Sequence, residues 1–266
     1  MGWDLVAKDN KKKAEPQVIA PKPEHFFKHQ RELELKHGLK VGVWGEPEVG
    51  KSYFAMTFPE PIYIVDTEFA AKKLAKQHFP DKNIYIFECS VIDPTSVLEE
   101  PDPIKSLENM EKAIIALKDI SEGTIVIDTV SDYWSWMGAY VESEARRFYK
   151  SSGQMMRTEW ATGNERYRYF INRLLIRPVN VVLISQPKPI YHQGVDTGAI
   201  KPAWQRQTAH WCDIVLWLRK REVEGKIRYE AVITKCRFKR AENAIIEDVT
   251  YDKLVKYLRS IGVKIV

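Results

Sequence analysis

One loop constrains the fold of this 266-residue chain more than any other feature of its sequence. Residues 41–56 read VGVWGEPEVGKSYFAM, an apolar run followed by a glycine-containing loop and then a segment typical of a helix. The loop has the pattern G-x-x-x-x-G-K-[ST] of a phosphate-binding loop, and it lies between a predicted strand and a predicted helix, as that pattern requires. Such a strand–loop–helix unit predicts an α/β protein.

The residue types in this loop are those that hold the phosphates of a nucleoside triphosphate. Gly45 and Gly50 let the backbone wrap around a phosphate, so that N–H groups point inward. Lys51 would neutralise β- and γ-phosphate charge, and Ser52 would place its hydroxyl on Mg²⁺. We therefore predict ATP and Mg²⁺ as ligands. The predicted nucleotide-binding residues are Gly45, Glu46, Pro47, Glu48, Val49, Gly50, Lys51, Ser52 and Tyr53.

Apolar runs alternate with helical patterns from residue 40 onward. Buried parallel strands are predicted for LKVGVW, PIYIVDTE, NIYIFEC, GTIVIDTV and VNVVLISQ, and covering helices for SLENMEKAIIALKDI and YRYFINRLLIRP. The later segments CDIVLWLRKR, IRYEAVITKCRF and AIIEDVTY predict a hairpin or meander that extends the sheet, before a closing helix in YDKLVKYLRSIG. We predict a three-layer α/β fold with a mainly parallel central sheet extended by C-terminal antiparallel strands.

The N-terminal segment differs from the rest of the chain. Residues 1–36 are lysine-rich and interrupted by prolines, which predicts a flexible basic arm before one large domain over 37–266. An arm that docks on a neighbouring subunit is the alternative. No stretch approaches the ~20 apolar residues of a membrane span. The N-terminus lacks the apolar core of a secretion signal, and the three cysteines are widely spaced, so we expect an intracellular protein without membrane contact.

Carboxylates end two of the predicted strands. Asp128 ends GTIVIDT, where a carboxylate can reach Mg²⁺ through water. An aspartate inside such a run is hard to explain as core, because burying it without a partner is costly. Thr129 and not glutamate follows it, so a water-activating carboxylate must come from elsewhere. Asp66 and Glu68, at the end of PIYIVDTE, are the candidates.

Together these residues resemble the RecA/RadA recombinase family, over about residues 38–258. IVDTE resembles the setting of that family's catalytic glutamate, which implies that Glu68 orients and deprotonates the attacking water. VVLISQ resembles a strand that ends in a γ-phosphate sensor and leads into a DNA-binding loop, which implies that role for Gln186. Lys235 and Arg237 in VITKCRF resemble paired basic residues that act in trans on a neighbour's ATP.

In size and content the chain is similar to the short, single-domain RecA-like ATPases of phages and archaeal viruses, some of which act in single-strand annealing. The sequence contains neither a helix-hairpin-helix domain of the RadA kind nor a clear Phe-x-x-Ala element in its arm. The resemblance implies an ATPase that acts on nucleic acid, with single-stranded DNA in recombination, annealing or replication as the expected substrate. It also implies a homo-oligomer, either a ring or a filament.

Two basic stretches are the predicted nucleic-acid contacts. Residues 201–240 hold eleven Lys and Arg against four Asp and Glu, and residues 146–168 hold six against two. The long connection after Gln186 mixes cations with aromatic residues, as single-strand binding requires. Trp204 is either a stacking platform or core, whereas Trp211, Tyr167, Phe170 and Leu174 are expected to be core. The candidate contacts are Arg146, Arg147, Lys150, Arg157, Lys188, Lys201, Trp204 and Arg206.

Other functions remain open on the sequence. A hexameric helicase or packaging-type motor could use the same core. A nucleotide-gated regulatory protein could use slow hydrolysis as a timer. A small-molecule kinase shares the phosphate-binding loop but usually has an arginine-rich lid and a shorter chain after the strand that ends in aspartate.

Overall fold

The computed structural model of this protein describes residues 28, 38–148, 157–238, 241 and 243–265. The fold lies within the unit Lys36–Val266. The predicted arm, residues 1–36, falls outside the described residues except for residue 28, so its flexibility stays a prediction.

An eight-stranded sheet forms the centre of the domain. Its strands are β1 Lys40–Trp44, β2 Ile62–Asp66, β3 Ile84–Glu88, β4 Thr124–Asp128, β5 Asn180–Ser185, β8 Ile214–Val223, β9 Lys226–Cys236 and β10 Ile245–Glu247. In the sheet they follow the order β10-β9-β8-β1-β5-β4-β2-β3; the pairs from β8 through β3 are parallel, while β8–β9 and β9–β10 are antiparallel. The predicted α/β class, with its mainly parallel sheet and C-terminal antiparallel extension, is confirmed.

Helices cover both faces of this sheet and divide the core in two. Side chains of β1, β4 and β5 alternate between the faces, so each face buries its own apolar cluster. None of the helices in the described part of the chain is long and apolar enough to span a bilayer. On the first face lie α1 Lys51–Met56, α2 Ala71–His78 and α7 Tyr251–Ser260; on the second lie α3 Pro103–Ala116, α4 Val130–Phe148 and α5 Arg157–Leu175.

The predicted long connection after β5 is not a loop. Strands β6 (Pro187–His192) and β7 (Val195–Pro202) pair as an antiparallel hairpin, and a short helix α6 (Thr208–Trp211) follows. The local sequence does not predict this hairpin, because β6 contains two prolines and β7 a glycine, residues that are unfavourable in strands. Most hairpin residues are exposed.

The register of the sheet brings the carboxyl ends of four strands to one edge. Trp44 at the end of β1 lies opposite Ser185 of β5. Asp66 at the end of β2 lies opposite Asp128 of β4, and the Thr67 amide extends this contact by donating to the Asp128 carbonyl at 2.7 Å. Residues that follow these strands therefore meet above the sheet edge, where open α/β sheets bind their ligands.

Candidate nucleotide-binding site

The loop between β1 and α1 needs glycine at both ends. At Gly45 a Cβ atom would come within 2.1 Å of the Leu218 carbonyl oxygen, so no larger residue fits against β8. Gly50 has φ 89°, in the left-handed region that glycine adopts without strain, and it caps α1. The sequence pattern thus corresponds to two different steric requirements.

Lys51 is folded back on this loop. Its Nζ donates to the carbonyl oxygens of Gly45 at 2.9 Å and Glu46 at 2.8 Å. Burial lowers the pKa of Lys51, and the nearby carboxylates of Asp128 and Glu68 oppose that shift. The ammonium group therefore lies between the loop and the acidic residues at the ends of β4 and β2.

Ser52 and Asp128 are in direct contact. The Ser52 hydroxyl donates to Asp128 Oδ2 at 2.6 Å, which links the first turn of α1 to the end of β4. Burial raises the pKa of Asp128 to about 7, the Ser52 hydrogen bond opposes this shift, and the nearby Glu68 and Asp66 add to it. A hydroxyl and a carboxylate oxygen are ligands that a hard cation prefers. The pair therefore fits Mg²⁺, whose positive charge would favour ionised Asp128.

Glu68 and Gln186 also meet above the sheet edge. Gln186 Nε2 donates to Glu68 Oε1, although 118 positions separate the two residues in sequence. Asp66 fixes the turn that carries Glu68, since its carboxylate accepts the amides of Glu68 and Ala71, each at 2.9 Å. Burial raises the pKa of Asp66, and these amide bonds oppose the shift. Asp66 is thus bound within its own turn, and Glu68 is the exposed carboxylate.

A cavity of about 570 Å³ contains these groups. Its lining includes Lys51, Ser52, Glu68, Asp128 and Gln186, which come from four separate segments of the chain. The structure therefore brings together the candidate catalytic and metal-binding residues that the sequence predicts.

A second cavity, of about 660 Å³, adjoins the first and shares Glu48, Gly50 and Tyr53 with it. Tyr53 is half exposed here, and Tyr229 of β9 contributes another aromatic wall. A cavity with aromatic walls beside a phosphate-binding loop has the chemistry to hold a nucleobase. No local sequence pattern indicates Tyr229, because it lies far from the loop along the chain.

Lys235 and Arg237 contact their own chain. Lys235 Nζ donates to the carbonyl oxygens of Ala209 at 2.7 Å and His210 at 2.9 Å, at the end of α6. Arg237 donates to the His210 carbonyl at 3.0 Å and forms an ion pair with Asp213 at 3.1 Å. Both cations therefore hold α6 in place, and action on a neighbour's nucleotide stays a prediction.

The nucleic-acid candidates divide by location. Lys188 and Lys201 lie directly opposite each other on the β6–β7 hairpin, and Arg206 is exposed beyond it. Burial, and to a lesser extent Lys201, lowers the pKa of Lys188. Arg146 is exposed near the end of α4 and is paired with Glu142.

The remaining candidates of that basic stretch are not described. Arg147 belongs to α4 and Arg157 to α5, but the structure describes only their backbone and not their side chains. Lys150 lies outside them altogether.

Trp204 requires a correction. It is only 5% exposed, and its ring lies against Gly42, where a Cβ would meet Trp204 Cη2 at 2.8 Å. An enclosed ring cannot stack on a base, so the prediction of Trp204 as a platform is wrong and its reading as core is right. Tyr167, Phe170 and Leu174 are likewise buried, as expected. On the hairpin itself, Tyr191 is 61% exposed.

Comparison with known proteins places these observations in a family. Residues 37–243 match the family described as AAA domain (AAA_24). No curated protein matches the chain. Similar solved structures include the KaiC-like protein PH0186 from the hyperthermophilic archaeon Pyrococcus horikoshii OT3, with 16% identity over 79% of this chain and 85% of that one, at a TM-score of 0.41. Another is the RadB recombinase, with 15% identity over 79% of this chain and 86% of that one, at a TM-score of 0.45. From the domain match, the chain belongs to the AAA domain family.

Proposed function

We propose that this protein hydrolyses ATP with Mg²⁺ and acts on nucleic acid, with single-stranded DNA as its substrate. The observation that carries the proposal is the meeting of two pairs in one cavity: Ser52 with Asp128, and Glu68 with Gln186. The first pair suits a metal-bound triphosphate. The second offers a carboxylate beside an amide that can report the γ-phosphate. Phosphoryl transfer in such sites depends on positioning and charge neutralisation, and both pairs serve that need.

Each side chain has a separate task in this mechanism. Lys51 exchanges its carbonyl partners for β- and γ-phosphate oxygens and neutralises the charge that develops on them. Glu68 accepts the proton of the attacking water, which it orients in line with the γ-phosphorus. The Gln186 side-chain amide donates hydrogen bonds to Glu68 and, when ATP is bound, to the γ-phosphate. Ser52 and Asp128 would hold Mg²⁺, which when bound supplies further positive charge against the phosphates.

The β6–β7 hairpin is the proposed nucleic-acid contact. It follows Gln186 without a break, so a change at the γ-phosphate reaches it through one peptide unit. Two lysines that face each other repel, which favours an anion between them. The exposed Tyr191 ring on the same hairpin can stack on a base, a contact that single-strand binding proteins use. We propose Lys188, Lys201, Tyr191 and Arg206 as contacts here.

The experiment is a steady-state ATPase assay at low salt, with no nucleic acid, with single-stranded DNA and with double-stranded DNA. We expect single strands to stimulate turnover most, and higher salt to weaken that stimulation because phosphate contacts release counterions. Hydrolysis that no nucleic acid changes would remove DNA as the effector. Coupling of turnover to strand separation by a closed ring would instead indicate a helicase-type motor. Tight ATP-dependent partner binding without turnover would indicate a nucleotide-gated protein.

A further inference from the structure

Two buried serine hydroxyls surround the backbone of Gln186. Ser131 lies in the first turn of α4 and is 6% exposed, and Ser185 ends β5 and is fully buried. The backbone N–H of Gln186 donates to Ser131 Oγ at 2.9 Å, and Ser185 Oγ donates to the backbone carbonyl of Gln186 at 2.9 Å. The two hydroxyl oxygens lie 3.0 Å apart.

The proton count gives this ring one direction. Each serine has a single hydroxyl hydrogen, and that of Ser185 is used on the Gln186 carbonyl. Ser131 must therefore donate to Ser185. This closes a cycle that runs from the backbone N–H of Gln186 through both hydroxyls to the backbone carbonyl of the same residue. Both backbone polar groups of Gln186 are thus hydrogen-bonded, and its carbonyl also accepts the backbone amide of Ala203 at 2.8 Å. A shift of the Gln186 backbone would break its bond to the buried Ser131 hydroxyl, so the cycle favours one backbone conformation.

The start of α4, with Thr129 just before it, also holds the turn that carries Glu68, the residue that contacts Gln186. Thr67 Oγ1, next to Glu68, accepts the Thr129 amide at 2.9 Å and donates to the Asp132 carboxylate. Thr129 Oγ1 donates to that carboxylate at 3.1 Å. One short segment therefore includes the proposed metal ligand Asp128, holds the Glu68 turn through Thr129 and Asp132, and holds the Gln186 backbone through Ser131.

We propose that the first turn of α4 is the element that aligns Gln186 and Glu68 with Asp128, and that Ser131 is the positioning residue for Gln186. This inference rests on the proposed ATPase function. Ser131 is not proposed to touch the nucleotide. It acts through the Gln186 backbone, at the junction between β5 and the β6–β7 hairpin, and so also sets the direction in which the hairpin leaves the sheet.

The test compares Ser131→Ala with Ser106→Ala. Ser106 is the control because its buried hydroxyl also accepts one backbone amide, that of Val91 at 2.8 Å. It lies on α3, outside the ring of hydrogen bonds around Gln186. We expect Ser131→Ala to lower kcat by about 10- to 100-fold, the range for a small misplacement of a reacting group, and to leave the KM for ATP within about twofold. Ser106→Ala should leave both constants near those of the wild type. A fall in kcat of the same size in both variants would overturn the proposal.

A double-mutant cycle separates positioning from general damage. A Gln186→Ala variant lacks the side chain that Ser131 aligns. Adding Ser131→Ala to it should therefore lower kcat by less than a further threefold. Full additivity of the two losses would contradict the inference. If Ser131→Ala does not fold, Ser185→Ala tests the same ring, because it removes the acceptor of the Ser131 hydroxyl and one of the two bonds to the Gln186 carbonyl. It should also lower kcat, and wild-type kcat in this variant would overturn the proposal.

Amide hydrogen exchange tests the same idea without turnover. The peptide that contains Gln186 should exchange at least about tenfold faster in Ser131→Ala than in the wild type, and at the wild-type rate in Ser106→Ala. Equal exchange in all three proteins would overturn the proposal. A wild type that binds but does not hydrolyse ATP would defeat the proposed function alone, since the exchange comparison would still decide whether Ser131 holds Gln186.

Discussion

The nucleotide cavity and the β6–β7 hairpin, which meet at Gln186, differ in how their polar groups are paired. On the nucleotide side, the candidate residues have defined partners: Ser52 with Asp128, Glu68 with Gln186. On the hairpin side, Lys188 and Lys201 face each other as like charges and Tyr191 is exposed. The first arrangement is pre-organised for a small ligand, as catalysis requires. The second is open, as a surface that follows a polymer backbone requires. On the proposed function, this difference separates the chemistry, in the cavity, from nucleic-acid contact, on the hairpin.

The largest expected effect falls on the cavity. Glu68→Gln keeps the shape of the side chain but removes the general base, so ATP should still bind while turnover falls by about 10²- to 10⁴-fold. Glu88→Gln is the matched control, because Glu88 ends the neighbouring strand β3, opposite Asp66, and is not part of the cavity lining. Single-turnover hydrolysis and ATP binding, measured on both variants, give the comparison. Wild-type turnover in Glu68→Gln would show that the catalytic assignment is wrong.

The contrast between Trp204 and Tyr191 separates core from surface. Trp204→Ala should lower the free energy of unfolding by about 3–5 kcal/mol, because it opens a cavity against Gly42. Tyr191→Ala should leave that free energy within about 0.5 kcal/mol, as for an exposed residue. It should weaken single-strand binding by about 1–3 kcal/mol per base that the ring stacks on. Urea unfolding and DNA titration measure the two quantities. A stable Trp204→Ala that loses DNA binding would restore Trp204 as a platform.

The buried Asp128 carboxyl makes stability of the nucleotide-free protein depend on pH. Its pKa is about 7 when folded and near 3.8 ordinarily, so between those values the folded state holds a proton that the unfolded state lacks. The contribution of this group to stability is therefore greatest at low pH and is lost as pH rises toward 7, by on the order of 2–4 kcal/mol. Asp128→Asn should flatten this decline in urea unfolding without Mg²⁺.

Asp119→Asn serves as the control for that pH measurement, because the Asp119 side chain is 84% exposed. It should keep the pH dependence of the wild type. An Asp128→Asn protein whose stability follows the wild-type curve between pH 4 and pH 8 would show that Asp128 does not titrate there.

The parts of the fold that could be predicted from sequence are those with a short-range signal. The loop Gly45–Ser52 is contiguous, and each central strand is a run of apolar residues, so both could be recognised locally. The sequence pattern does not predict the helices α2 and α4, because α2 is mostly polar and α4 mixes aromatic and charged residues. Gln186 and Glu68 were placed by resemblance, but their contact depends on strand order.

Two further features depend on packing between distant segments. The hairpin β6–β7 conflicts with local strand propensity, since prolines and a glycine occupy it. The ring of Ser131, Ser185 and Gln186 joins the end of β5 to the first turn of α4, and serine alone signals neither burial nor a partner. Such contacts follow from the sheet topology, which the local pattern does not specify.

The smallest expected effect tests the charge of the hairpin. Replacing Lys188 and Lys201 by alanine together should weaken single-stranded DNA binding and reduce the slope of log affinity against log salt by about 1.4, because each phosphate contact on a single strand contributes about 0.7. Lys112 and Lys256, exposed on α3 and α7, provide the matched double replacement outside the hairpin. That control should bind with the slope of the wild type. Equal slopes in both double variants would show that the hairpin lysines do not contact phosphates, and would move the nucleic-acid surface to the basic stretch around Arg146.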